Sequence, residues 1–445
     1  MKTISIHWKI ADPPSLPVIW KEIVPPKITG APRDLALGCA AGTNDFLNYA
    51  FANSFSRSCG WLSHHPAAKD AASLFKRGVA LNEISKQDTV QTGNYNIDFF
   101  SAQAQIEKVV CETGSFVIVD NSVHIKWPDL INKIPKKYIV EIDEITKNLD
   151  TVADIMFASG TLKKWICIGG GVLTDTAAMA AALTSAQITF VPTTLLAMAD
   201  ACVGGKTGVN FAPFGKNQVG RFYFPCRVVI WDGWLQTLDP RHITGGACEG
   251  IKHTLLKGDK NLYQEIFNTL QDDKKSFAGI LPQIIQIKAD VVSQDATESG
   301  MRATLNLGHT LAHALESMSQ TNNPQNPIAH GEAVGIGLVF ALYLSHYECG
   351  LSKEFCKQFA DKMHKYGCLL SQKSLETFLK SPLNSSTFDQ LLEITKTDKK
   401  ADQNSVYWVL LNSFGNPYFE KGDYKKTASS SSLANSWDSL LAALK

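Results

Sequence analysis

From about residue 94 to about 243, short apolar runs alternate with stretches of helical periodicity. The run Phe116-Val117-Ile118-Val119-Asp120 ends on an acid, and 138–142, 165–168, 188–191 and 227–231 are similarly short and rich in β-branched and aromatic residues. Such runs read as buried strands. Between them, 144–159 and the alanine-rich 175–183 repeat with a helical period. Strands alternating with helices predict a parallel sheet covered on its faces. Beyond about 243 the pattern changes. The segments 245–256, 281–294, 305–319, 332–348 and 353–364 all carry apolar positions spaced three and four apart, which predicts a run of helices. The expected organisation is an N-terminal extension (1–90), an α/β domain (91–243), an all-α domain (244–427) and a loosely held serine-rich tail (428–445), with a cleft between the two main domains. Prolines at 13, 14, 17, 25, 26 and 32 exclude a long early helix.

Composition narrows the class. The 445 residues are 44% hydrophobic and 19% charged, with a net charge of +1, as in an ordinary globular protein. So small a charge predicts no general attraction to nucleic acid or anionic membrane. No apolar run is long enough to span a membrane, and the first residues lack the apolar core of a signal peptide. The ten cysteines form no Cys-x-x-Cys pair, which reads as free thiols in a reducing cytoplasm.

Chemistry concentrates in a few places. Asn306-Leu307-Gly308-His309-Thr310-Leu311-Ala312-His313 puts two imidazoles on one helical face, and His330-Gly331-Glu332 adds a third. Upstream stands Glu249, three residues before Lys252. A carboxylate with two or three imidazoles suits a divalent metal with an open coordination position. Read singly, the histidine pair is structural and the Glu249–Lys252 pair is a surface ion pair; together they favour a metal. Gly169-Gly170-Gly171 follows a strand and precedes a helix. Glycines there admit a pyrophosphate to a helix N-terminus, or simply make a turn. Asp175 suits a ribose hydroxyl or a helix cap. Asp200 to Asn210, with Lys206, and Gly215-Lys216-Asn217 read as a polar loop cluster suited to an oxyanion-rich ligand, or as solvated surface. Lys288, Arg302 and Lys399-Lys400 are further basic positions. The pair His64-His65, before Pro66, reads as a surface turn.

Taken together these segments resemble the dehydroquinate synthase family of sugar phosphate cyclases. The likeness runs from about 95 to about 410, roughly seventy per cent of the chain, through GGGVLTD, VPTTLLAMADACVGGKTGVN, GKNQVG, TLDPR, EGIK, ESGMRATLNLGHTLAHALE and HGEAVGIG. It implies a Rossmann-like NAD-binding α/β domain followed by an all-α metal-binding domain, and a homodimer. By this resemblance Glu249, His309 and His330 hold the metal, zinc most often and cobalt as an alternative. Asp120, Glu144, Lys147, Gly170, Gly171, Asp175, Thr193, Thr194 and Thr237 contact NAD. Asp200, Lys206, Lys216, Asn217, Lys252 and Asn306 line the substrate pocket. His313 and Lys400 face the substrate phosphate, and Lys288 with Arg302 hold its carboxylate.

The implied reaction converts 3-deoxy-D-arabino-heptulosonate 7-phosphate to 3-dehydroquinate and phosphate, a carbon–oxygen lyase reaction of the shikimate route to aromatic amino acids. A cyclase acting on sedoheptulose 7-phosphate, a metal- and NAD-dependent polyol dehydrogenase and a non-catalytic homologue are the alternatives. Three departures from the family pattern stand out. Thr174 occupies a glycine position. Residues 182–187 are about two short of the family length and lack its arginine, which reaches the phosphate of a partner subunit. There is one extra residue between Lys206 and Lys216, and about five before His330.

Overall fold

A computed structural model of the chain describes residues 2–9, 92–211, 215–271, 277–396 and 406–445. Lys399, Lys400 and the His64-His65 pair lie outside the described residues. The centre of the α/β half is a seven-stranded sheet. In chain order its strands are β1 (Lys2–Lys9), β2 (Thr92–Phe100), β3 (Phe116–Asp120), β4 (Lys137–Val140), β5 (Lys164–Gly169), β6 (Gln187–Pro192) and β9 (Arg227–Trp231), arranged β1-β2-β9-β6-β5-β3-β4. The five pairings from β2 to β4 are parallel. Helices α1 (Gln103–Val110), α2 (Asn121–Lys126), α3 (Pro128–Ile131), α4 (Leu149–Ser159) and α5 (Gly171–Thr184) connect them. Buried runs such as Phe116 to Val119 and Trp165 to Ile168 are apolar throughout because both faces of a parallel sheet are covered. The chain leaves β3 for β4 on one side and returns to β5 on the other. The carboxyl ends of β3 and β5, Asp120 and Gly169, therefore flank a topological switch point, where such sheets bind ligands.

The helical half contains α6 (Pro240–Lys257), α7 (Lys260–Gln271), α8 (Leu281–Gln294), α9 (His309–Asn322), α10 (His330–Cys349), α11 (Lys353–Lys365), α12 (Gln372–Leu379), α13 (Ser385–Lys396) and α14 (Ser430–Ala443). The sequence Leu-Asp-Pro-Arg starts α6: Asp239 accepts from the Arg241 N–H, and Pro240 takes the first helical position. Central α10 has buried residues all round, from Gly331 to Ser345, and α6, α9 and α14 pack on it.

Several expectations are corrected. The helix expected from 144 begins only at Leu149, because Asp143 accepts from the N–H groups of Ile145 and Thr146 and fixes a turn. The helix expected over 305–319 is two elements, a 3-10 turn (Met301–Asn306) and α9. Gly308, at φ 79°, breaks it in the left-handed region that favours glycine. The loop expected from Asp200 is a π-turn (Ala197–Ala201) followed by an antiparallel hairpin, β7 (Lys206–Phe211) with β8 (Gly215–Phe222). Its glycines, lysines and asparagines hide the strand pattern. The serine-rich tail is helix α14, capped by Ser429 and anchored by buried Trp437 and Leu440.

Candidate active site

Three helices and one turn converge on a buried charged cluster. Glycine contacts set its spacing. A side chain on Gly331 would fall 2.3 Å from Gly245 Cα, so α6 and α10 meet backbone to backbone. Gly337 does the same against the Gly308 carbonyl on the approach to α9. Arg241 of α6 also grips Glu332 of α10 through two hydrogen bonds, of 3.1 and 2.7 Å.

At the meeting point, Oε1 of fully buried Glu249 lies 3.4 Å from Nε2 of His309 and 3.4 Å from Nε2 of His330. The other ring nitrogens are already committed. His309 Nδ1 lies 3.1 Å from the Leu307 carbonyl, and His330 Nδ1 lies 3.1 Å from a Glu316 carboxylate oxygen. Both partners only accept, so both Nδ1 atoms donate and the two Nε2 atoms turn toward Glu249. Neither Glu249 oxygen makes a well-formed hydrogen bond, although Lys252 is in ionic contact with Oε2. Burial and the Lys252 ammonium push His309 down to about 4, leaving its Nε2 an acceptor. Burial opposes charge on His330 too, but Glu316 and Glu249 outweigh it and push this imidazole up to about 10. Two imidazoles and a carboxylate crowded around one point call for a cation, and their donor set fits a divalent metal such as zinc or cobalt.

A second hub adjoins the first. Asp200, on the π-turn, lies 2.8 Å from Lys288 Nζ of α8, 3.2 Å from His253 Nε2 and 3.7 Å from Lys252 Nζ of α6. Burial alone would raise its pKa, but Lys288 and Lys252 hold this carboxyl well below the usual range. Lys252 is only 1% exposed, so the Glu249–Lys252 pair is not the surface ion pair that the spacing alone suggests. Arg302 is also 1% exposed; it donates to the Gly204 carbonyl at 2.6 Å and to the Ala296 carbonyl, while its Nε has no partner among the described residues. Lys288 sits within α8 and donates to the Asp200 carbonyl at 2.7 Å. Both expected carboxylate-binding residues thus hold the 200–204 segment. Asn306 donates to Glu298 at 2.6 Å, and Lys206 pairs with the other oxygen of Glu298 at 2.5 Å. His313 lies beside these two imidazoles, its ring centroid 5.5 Å from that of His309 and 6.2 Å from that of His330.

The expected nucleotide residues form two groups. Asp120, Gly170, Thr193, Thr194 and Thr237 line one cleft at the switch point, beside Trp127 and Trp234. A Cβ on Gly170 would come within 3.1 Å of Thr194 Cγ2, so a side chain there would press on the Thr194 methyl. Asp120 is also the cap of α2, accepting from Ser122 N and Oγ. The second group lies against the hairpin. Buried Lys147 donates to Asp175 at 2.7 Å and to Asn217 at 2.8 Å. Glu144 meets Asn210 and, at 3.7 Å, Lys216. Asp175 is inside α5, whose first residue is Gly171, so it does not cap that helix. Thr174, at the departing glycine position, is buried and donates to the Gly171 carbonyl. Helix α5 ends at Thr184, and Ser185 adopts φ 54°. Lys163 stands at that end, its Nζ donating to the Thr184 carbonyl at 2.5 Å.

Sequence reasoning missed His253, Glu298 and Glu316. His253 stands four residues after Glu249, and Glu316 seven after His309, both helical spacings that mark a shared face. Glu298 gave no such signal, because it reaches the site from a loop residue at φ 61°.

Comparison with known proteins fixes the family. The profile of the 3-dehydroquinate synthase N-terminal domain matches residues 137–245, and that of its C-terminal domain matches 246–401. The 3-dehydroquinate synthase of Endomicrobium trichonymphae is 36% identical over 351 residues, 75% of this chain and 91% of the relative. The chain belongs to the 3-dehydroquinate synthase family. The enzyme of Campylobacter hominis is 36% identical over 292 residues, 64% of this chain and 80% of the relative. Among solved structures, a 2-deoxy-scyllo-inosose synthase in complex with carbaglucose-6-phosphate, NAD+ and Co2+ shares the fold. It aligns with a TM-score of 0.63 at 23% identity, covering 77% of this chain and 96% of its own.

Proposed function

We propose that this member of the family is a 3-dehydroquinate synthase, a lyase that converts 3-deoxy-D-arabino-heptulosonate 7-phosphate to 3-dehydroquinate and phosphate. The observation that carries the reading is the convergence of Glu249, His309 and His330 on one point beside the Asp200–Lys252–Lys288 cluster. A divalent metal and NAD, when bound, supply the Lewis acid and the hydride acceptor. Glu249, His309 and His330 would hold the metal. The glycine turn at 169–171, with Asp120, Thr193, Thr194 and Thr237, would hold the nucleotide.

The chain's own groups do the rest. Asp200, held ionised by Lys288 and Lys252, positions both ammonium groups toward the cluster, and His253 braces it from behind. Lys206, Asn306 and Glu298 form a paired set from which a substrate hydroxyl or phosphate can take over hydrogen bonds. The forked guanidinium of Arg302, its Nε unpartnered among the described residues, and the ammonium of Lys288 suit a carboxylate. The conversion has no net redox change: the substrate loses phosphate and closes a ring. His313 and Lys400 remain our candidates for phosphate contact. A homodimer in the cytoplasm is proposed with the family reading; the eight described cysteines are all free, and no described helix is long and apolar enough to cross a membrane.

The test is incubation with the heptulosonate phosphate, NAD+ and zinc. Release of phosphate with a cyclic product, and no lasting rise at 340 nm, is expected. A steady rise at 340 nm with a simple polyol would point to a dehydrogenase instead. Turnover of sedoheptulose 7-phosphate in preference to the carboxylated sugar would move the chain to the other cyclases.

A further inference from the structure

We propose that Glu316 is a positioning residue for His330: it fixes which ring nitrogen faces the metal point, and it ties that imidazole to the nucleotide-binding half through Lys216. The inference rests on the reading of Glu249, His309 and His330 as the metal ligands. Glu316 lies on α9, seven residues after His309, so one helical face presents a ligand and, two turns on, a carboxylate. That carboxylate is shared between two partners. Oε2 accepts from His330 Nδ1 of α10 at 3.1 Å, and Oε1 accepts from Lys216 Nζ of β8 at 3.1 Å. Lys216 in turn lies 3.7 Å from Glu144. The Glu316 side chain is 6% exposed, so protein groups take the place of water at both oxygens, as a buried carboxylate requires.

The tautomer follows from this arrangement. A carboxylate at Nδ1 requires a proton there, which leaves Nε2 as the nitrogen directed at Glu249, 3.4 Å away. Without Glu316 the ring is free to take the other tautomer or to swing from the cluster. His309 has the same device in cheaper form, with the Leu307 carbonyl in the place of the carboxylate. A second grouping, His313 with Glu316 and His330, also brings potential ligand atoms within 4.8 Å of one another. The contact already made at His330 Nδ1 argues that Glu316 serves the ring rather than an ion.

The test is equilibrium binding of Co2+ to the metal-stripped, folded full-length protein, with the visible d–d spectrum recorded, for wild type, Glu316→Ala, Glu316→Gln and His309→Ala. Outer residues of this kind typically contribute about ten- to a hundredfold in metal affinity. Glu316→Ala should weaken Co2+ binding by that factor and shift the spectrum. Glu316→Gln, whose amide oxygen still accepts from Nδ1, should lose clearly less and keep a spectrum close to wild type. A wild-type dissociation constant and spectrum in Glu316→Ala would overturn the proposal, as would a loss in Glu316→Gln equal to that in Glu316→Ala. If Glu316→Ala fails to fold, as judged by circular dichroism, the glutamine variant alone decides. Should His309→Ala keep its Co2+ while Glu316→Ala loses it, the ion lies in the His313–Glu316–His330 group and Glu316 is a ligand. A wild type that takes up no Co2+ would instead remove the metal centre itself, and with it this inference.

Discussion

At the scale of single residues, tertiary contacts separate two imidazoles of the same helix, His309 and His313. The helical spacing of His309 and His313 announces a shared face, yet nothing local tells the proposed ligand from its neighbour. The distinction lies in tertiary contacts: His309 has the Leu307 carbonyl at Nδ1 and Glu249 at Nε2. His309→Ala should therefore abolish turnover and lower bound zinc, measured by elemental analysis of the purified protein, whereas His313→Ala should keep most of its zinc. Zinc content unchanged in His309→Ala would take this residue out of the ligand set. Glu249 and Lys252 illustrate the converse. Their spacing suggests an exposed pair, and the packing of α7, α8, α10 and the π-turn on α6 buries it. Arg302 yields a sharper prediction. Truncating one side of a buried charge-assisted contact costs on the order of 2–4 kcal/mol. Arg302→Ala should cut kcat/KM for the carboxylated sugar phosphate roughly thirtyfold or more, and far less for one that lacks the carboxylate. Arg302→Lys should recover little, since the ammonium has no fork. Equal losses on both substrates would mean that Arg302 only braces the Gly204 and Ala296 carbonyls.

At the scale of elements, legibility followed the strength of local signals. Strand β3 and helix α8 appear with the boundaries that their patterns predict. The β7–β8 hairpin did not, because Lys206, Gly208, Asn210, Lys216 and Asn217 break the apolar alternation that marks a strand. Close helix approaches were equally hidden, although the glycines that permit them are plain in the sequence. Gly337 is the clearest case. A methyl group there would sit 2.0 Å from the Gly308 carbonyl oxygen and 3.3 Å from the Ala312 nitrogen. Backbone cannot rotate away as a side chain can, so α9 and α10 would have to part. Overpacking of this kind typically costs about 1–3 kcal/mol. Gly337→Ala should lower stability to urea by that amount and, because His309 and His330 ride on the separating helices, weaken zinc binding as well. A variant with reduced stability but unchanged zinc affinity would show that the spacing of α9 and α10 does not set the ligand geometry.

The whole molecule couples two halves that the hydrophobic pattern separates cleanly near residue 243. Their junction was not legible, since it is made of long-range polar contacts: Asp200 with Lys252, His253 and Lys288, Lys206 with Glu298, Lys216 with Glu316, and the Gly204 carbonyl with Arg302. Each joins the 200–216 segment to the second half, and most are buried, where an ion pair left without its partner is costly. Residues from Gly93 onward should consequently unfold as one cooperative unit. A ligand that binds only the folded state stabilises it by about 2.7 kcal/mol at a hundredfold excess over its dissociation constant. Zinc bound on α6, α9 and α10 and NAD+ bound at the sheet should then each raise the same calorimetric transition by a few degrees, and together raise it further. His309→Ala should lose the response to zinc and keep the response to NAD+. Two separable transitions, with zinc moving only one and NAD+ only the other, would show that the polar junction does not bind the halves into one unit. In that case each site would be stabilised by its own half alone, and the Lys216–Glu316 contact would carry no coupling between nucleotide and metal.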